Sequence, residues 1–217
     1  MAVVWHEADH GARHLAVQAH DVLGPAAQSL LAYVGSLPPD AVLPGASVQF
    51  GWVVFDVVDG PGGWVTLDSP DLRGDALTER TSDVSLALLG LTELVGFAQR
   101  TGLTPGEVRY DHTVLAHRDA LGSEDVYLER LEPTRPGDSG WYLGPNDDRA
   151  QPTADELVIR HVWQLLLELP RVFGALALPT GSLVVVRAGE IVSVADATNT
   201  ELWRDPGAAG GDSASRG

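Results

Sequence analysis

The chain has no cysteine among its 217 residues, which excludes disulfides, thiolate catalysis and cysteine-held zinc. Basic side chains are scarce, 14 against 30 acidic ones, and the formal charge of -16 would repel the phosphates of a nucleic acid. A charged partner should therefore be basic. The first residues, Met1-Ala2-Val3-Val4-Trp5-His6-Glu7, lack the basic flank and sustained apolar region of a signal peptide, and no apolar run reaches membrane-spanning length. The expectation is a cytoplasmic protein without a membrane partner. Glycine is plentiful, yet no G-x-x-x-x-G-K-[ST] string occurs and no G-x-G-x-x-G follows a strand, so nucleotide binding is unsupported and no cofactor is expected.

What is present is an ordinary globular composition, 44% hydrophobic and 20% charged, enough for a proper core. Two stretches resemble one another. Pro61-Gly62-Gly63-Trp64 and Pro136-Gly137-Asp138-Ser139-Gly140-Trp141 each follow a strand-like run and precede an apolar stretch, an acidic turn and a helix candidate. Leu103-Thr104-Pro105-Gly106 and Leu178-Pro179-Thr180-Gly181 then each lead toward a valine-containing strand, at Val108 and Val184. A fixed order of elements repeated once suggests a duplicated unit rather than a solenoid. The competing account is coincidence, because Gly, Pro and Gly-Trp are common turn punctuation.

The predicted fold class is α+β: two tandem, pseudo-symmetric units, each a β-hairpin followed by a helix and a return strand, plus an N-terminal extension. The boundaries are 1–46 for the extension, 47–123 and 124–204 for the units, and 205–217 for a Gly, Ala and Ser tail too poor in apolar residues to fold. Within the extension, four histidines precede an apolar patch at residues 30–34 that predicts a helix. Residues 49–58 form a nearly continuous apolar run suited to a central strand, closed into a hairpin by Gly60-Pro61-Gly62-Gly63. Ser82 or Asp83 can cap a helix ending at Gly102. Thr153 and Glu156 form a capping-box sequence, predicting a helix whose stripe runs from Leu157 to Leu169 before Pro170 stops it. Residues 183–186 and 191–195 predict two strands joined by a turn at Ala188-Gly189-Glu190.

Three constellations bear on chemistry. His6-Glu7-Ala8-Asp9-His10 matches H-E-x-x-H, in which two imidazoles on one helix face hold zinc and the glutamate activates water. Its context is poor, since at most five residues precede it, Gly11 would weaken the helix and no third ligand is evident. A triad of Ser139 with His112 or His161 and an aspartate can be assembled on paper, but Ser139 sits in a turn without the strand-to-helix elbow of a nucleophile. Six tryptophans against four phenylalanines and four tyrosines form the third. Trp64 and Trp141 are either core anchors or exposed interface residues, with the core favoured. The acidic loops beside them, 68–75 and 138–148, are the better interface candidates.

The turn Pro136-Gly137-Asp138-Ser139-Gly140-Trp141, with the strand Val126-Tyr127-Leu128-Glu129-Arg130 before it and Asp147-Asp148 after it, resembles the thirty-third immunity-protein family of bacterial polymorphic toxin systems. Leu178-Pro179-Thr180-Gly181-Ser182 is similar to that family's late proline-glycine-strand element. The resemblance covers residues 124–204, and the first copy departs from it by lacking the Asp-Ser pair. It implies an α+β protein of the cytoplasm that neutralises a toxin by covering it, without catalysis.

The leading reading is thus a non-enzymatic, immunity-like binding protein, monomeric or homodimeric, that engages a basic protein partner such as a toxin. The expected contact residues are Asp138, Ser139, Gly140, Trp141, Asp147 and Asp148 in the second unit and Trp64, Asp68 and Asp71 in the first. The alternatives are a zinc-dependent hydrolase using the N-terminal string, and a structural or regulatory module.

Overall fold

A computed structural model describes residues 2–11, 13–147 and 152–207. The fold is mixed α+β, and the chain divides into two compact units, Met1–Glu93 and Leu94–Gly217.

In the first unit, β1 (Val3–His10) and β2 (Arg13–His20) form a tight antiparallel hairpin around Gly11, whose φ of +60° suits a residue without a Cβ. Helix α1 (Gly24–Ser36) has proline in its first turn, where no amide partner is needed, and buries Ala27, Leu30, Leu31 and Val34. The helix expected from residues 30–34 is present. The apolar run at 49–58 is not one strand: β3 (Ser47–Phe50) and β4 (Val53–Asp59) pair across a turn at Gly51-Trp52. β4 then pairs with β5 (Val65–Pro70), as the glycine turn predicts. A short β6 (Arg80–Thr81) adds to β5, and α2 (Ser85–Thr101) follows. Asp83 accepts the Ser85 amide at 3.0 Å beside the start of α2.

The strand order of this sheet is β1-β2-β5-β4-β3, with β2 and β5 parallel and the other neighbours antiparallel. Alternation on β4 sends Val53, Phe55 and Val57 inward, where Leu15, Val17 and Leu67 are also buried. Residues 1–46 therefore supply two strands and a helix of the unit rather than an appendage.

The second unit holds β7 (Thr113–His117), β8 (Val126–Arg130), β9 (Asp138–Pro145), β10 (Leu157–His161), α3 (Val162–Glu168), β11 (Leu183–Arg187), β12 (Glu190–Ala195) and β13 (Glu201–Arg204). Its sheet runs β10-β7-β9-β8-β11-β12-β13, with β7 and β9 parallel and the remaining pairs antiparallel. The strands expected at 183–186 and 191–195 are β11 and β12.

Two expectations are corrected here. The helix predicted from Leu157 to Leu169 is a strand followed by a seven-residue helix. The capping box does form, with Glu156 Oε2 accepting the Thr153 amide at 2.7 Å, but it closes a single 3-10 turn over Ala154–Glu156. The β-branched pair Val158-Ile159 favours the extended state, and β7 offers those residues a ladder of backbone partners. No strand forms at Val108: residues 103–109 are irregular, held by the Gly106 amide on the Ala177 carbonyl at 2.6 Å, with Val108 itself buried.

The two Gly-Trp strings also occupy different structural positions. Trp64 follows a 3-10 turn just before β5 and is half-buried, whereas Trp141 lies inside β9 and is 1% exposed.

Candidate partner-binding surface

The acidic Asp-Ser-Gly-Trp turn is built from inside. Asp138 accepts the Gly140 amide at 2.9 Å and both the amide and hydroxyl of Thr134 at 3.1 Å, so its carboxylate closes the loop that delivers β9. Burial works against its charge, but the Gly140 and Thr134 donors outweigh burial and hold its carboxyl below the ordinary aspartate value. The Ser139 hydroxyl donates to the Thr113 carbonyl at 2.7 Å and accepts the Trp141 amide at 3.2 Å, tying β9 to β7. That hydroxyl is buried and occupied, so it is not placed as a nucleophile. Gly140 has φ +76°, and a Cβ there would stand 2.1 Å from the Leu131 carbonyl oxygen. Trp141 donates its indole hydrogen to the Leu176 carbonyl at 3.0 Å.

Beneath this turn lies a group the sequence reading missed. Arg130 is 6% exposed, and its guanidinium donates to the carbonyls of Ser139, Leu178 and Glu107 while resting 5.7 Å from the Trp141 ring. Burial pushes it below its ordinary pKa, opposed by the charges of Glu107 and Glu132. A buried cation satisfied by carbonyl dipoles joins β8, β9 and two loops at one point. The signal was available: Val126, Leu128 and Arg130 share a parity, so the strand that buries two of them buries the third.

On the opposite parity the sheet is open. Ile159 of β10 is 55% exposed and stands directly across from Leu115 of β7, itself 41% exposed; Leu115 in turn stands across from Tyr142 of β9. The rings of Tyr142 and Tyr127 of β8 lie 5.7 Å apart between centroids, and burial first, then Tyr127, push the Tyr142 phenol up to about 12. Glu129 continues the row opposite Tyr142. An aliphatic and tyrosine centre beside carboxylates is a composition found in protein interfaces. Asp147 is exposed two residues beyond β9, and Asp148 lies outside the described residues.

At one end of β7, Arg109 and Asp111 form a two-pronged ion pair at 3.1 and 3.3 Å. Burial raises the Asp111 carboxyl, but Arg109 more than offsets this and leaves it low; the neighbouring His112 is pushed down by burial. His161 bonds the Asp111 carbonyl at 3.0 Å through its own ring nitrogen. Neither histidine is given a role with the occupied Ser139 hydroxyl.

In the first unit, Asp68 stands across from Asp56 on adjacent strands, and burial followed by that neighbouring charge raises its carboxyl. Arg80 binds Asp56 at 2.7 Å. Asp71 accepts the Arg73 amide at 3.0 Å, folding the loop locally. Trp64 is packed by Trp5, edge to face at 5.9 Å, and by His14 at 4.4 Å.

The His6-Glu7-Ala8-Asp9-His10 string lies on a strand. On β1 the alternation puts His6 and His10 on one face and Glu7 on the other, which is not the helical disposition the zinc reading requires. His6 and His10 pack toward Gly24 and Gly35 of α1, where a Cβ on Gly35 would come within 2.1 Å of the His10 ring. Among the described residues no group of His, Asp or Glu is arranged to hold a metal ion. Among those residues also, no helix is long and apolar enough to cross a membrane.

No curated protein and no solved structure gave a significant match to this chain. A family model does match: residues 96–197, which contain the Asp-Ser-Gly-Trp turn, the buried Arg130 and the open tyrosine row, correspond to the Imm33-like domain.

Proposed function

We propose that the protein is a non-enzymatic, immunity-type protein of the cytoplasm that binds a basic protein toxin and neutralises it by covering it. The observation that carries this reading is the Imm33-like match over 96–197. The charge of -16 supports a basic partner, because complementary charge speeds association and disfavours wrong partners. The contact surface we assign is the open row of Ile159, Leu115, Tyr142 and Tyr127 with the exposed Asp147 beyond the end of β9; Asp148, outside the described residues, is assigned to the contact by its sequence neighbourhood alone. Trp64, Asp68 and Asp71 offer a second acidic contact in the first unit. Asp138, Ser139, Gly140 and Trp141 then serve as the frame behind the surface, since their polar atoms are turned to the protein's own backbone.

The test is co-expression. A basic protein captured on the immobilised chain is produced alone and with its captor, and growth is followed. Toxicity relieved by the native chain but not by Ile159→Asp, with unchanged melting of that variant, supports the reading. A captured protein that is harmless alone, or relief that survives loss of binding, contradicts it.

A further inference from the structure

Among the described residues, the outermost strand of the first sheet, β1, pairs with β2 alone. Its free side can be assigned residue by residue. The Asp21 amide donates to the Ala2 carbonyl at 3.0 Å, extending a ladder in which Val3 stands across from His20. Antiparallel ladders alternate bonded and non-bonded pairs, so the even residues of β1 bond to β2 and Val3, Trp5, Glu7 and Asp9 turn their peptide groups away from it. The Glu7 carbonyl agrees: it accepts from the Gln28 side chain of α1 at 3.3 Å.

The same odd residues carry one side-chain face. Glu7 and Asp9 lie on either side of His14, 3.3 and 2.7 Å from its two ring nitrogens, and Trp5 continues that face to Trp64. Trp5, Glu7 and Asp9 are all exposed. Sheet edges are commonly guarded by lysine, proline or a bulge, yet Val3–His10 has no proline, no arginine or lysine, and an unbroken register. What it does have is negative charge. A second copy laid antiparallel on β1 would bring Glu7 and Asp9 against the same carboxylates, each copy carrying a charge of -16. A segment with lysine or arginine at alternate positions would instead meet Glu7, Asp9 and the Trp5 ring on one face while bonding the outward peptide groups, where it takes over the Glu7 carbonyl from the Gln28 side chain.

We propose that the β1 edge accepts an extended, lysine- or arginine-bearing segment of a partner protein as an additional strand. The site lies outside the Imm33-like match and stands whether or not the partner is a toxin.

The experiment adds a short synthetic peptide of alternating lysine and valine to the full chain, with a glutamate-valine peptide as control, and follows amide exchange by NMR. The expected result is saturable binding of the lysine peptide alone, with new protection of the Val3, Trp5, Glu7 and Asp9 amides and weakening by salt. Glu7→Pro removes an outward amide without touching the β1–β2 ladder and should abolish binding, with melting as the check on folding. Should that variant fail to fold, Glu7→Lys with Asp9→Lys is the second, expected to weaken binding by about tenfold or more. No protection at those amides, equal binding of both peptides, binding indifferent to the lysine pair, or self-association of the chain through β1 would each overturn the proposal.

Discussion

Trp141 donates its indole hydrogen to the carbonyl of Leu176, 35 residues further along, at 3.0 Å. The first unit contains the same relation: Trp52 donates to the Ala87 carbonyl at 2.9 Å, again 35 residues on. Both rings are almost fully buried and both follow a glycine of positive φ, Gly140 and Gly51. Each bond gives a carbonyl an indole donor and ties a buried ring to a segment 35 residues further along the chain.

Trp141→Phe keeps most of the buried ring but leaves the Leu176 carbonyl without its donor, and should cost about 1–3 kcal/mol. Trp141→Ala should cost more, about 3–5 kcal/mol, by emptying the site. Urea unfolding monitored on the second unit measures both. Trp64→Phe, at a half-buried ring, should cost less than either.

Arg130→Met removes three charge-assisted bonds to carbonyls while retaining much of the apolar stem, and should destabilise the second unit by about 2–4 kcal/mol. Arg130→Lys should recover only part of this, because an ammonium cannot fork toward β9 and two separate loops as the guanidinium does. Thermal melting of the pair against the native chain tests it.

Asp138 has a folded-state pKa held below the ordinary 3.8. Its contribution to stability is therefore present above that value and lost as pH falls through the lowered folded one. Asp138→Asn should flatten the acid limb of the stability curve, measured as urea midpoint against pH. Asp111, held low beside Arg109, should add a second increment of the same sign.

Tyr142, pushed up to about 12 by burial and by Tyr127, should titrate closer to an ordinary phenol in Tyr127→Phe. Ring-carbon NMR shifts followed across alkaline pH report this directly.

Legibility in the sequence followed the range of the forces involved. The glycine turn between β4 and β5, helix α1 and strands β11 and β12 were visible because local turn chemistry and apolar runs decide them. The helix expected over 157–169 failed because a real capping box supplied its start while pairing with β7 claimed its body. The repeat of Gly-Trp strings drew Trp64 together with Trp141, although Trp52 shares Trp141's burial and long-range bond. No local pattern carries that relation, since the accepting carbonyl is 35 residues distant. Of the surface, the acidic turns were readable from composition. Asp138 and Ser139 nevertheless face inward chemically, and the open row of Ile159, Leu115, Tyr142 and Tyr127 comes from four strands that only the sheet order brings side by side.

The most direct measurement is the association rate of the purified chain with the captured basic partner, followed by stopped flow over a range of salt. For Asp147→Lys with Asp148→Lys the account predicts association slowed by about tenfold at low salt, a flattened salt dependence and an unchanged melting temperature. A rate and salt dependence identical to those of the native chain would contradict it.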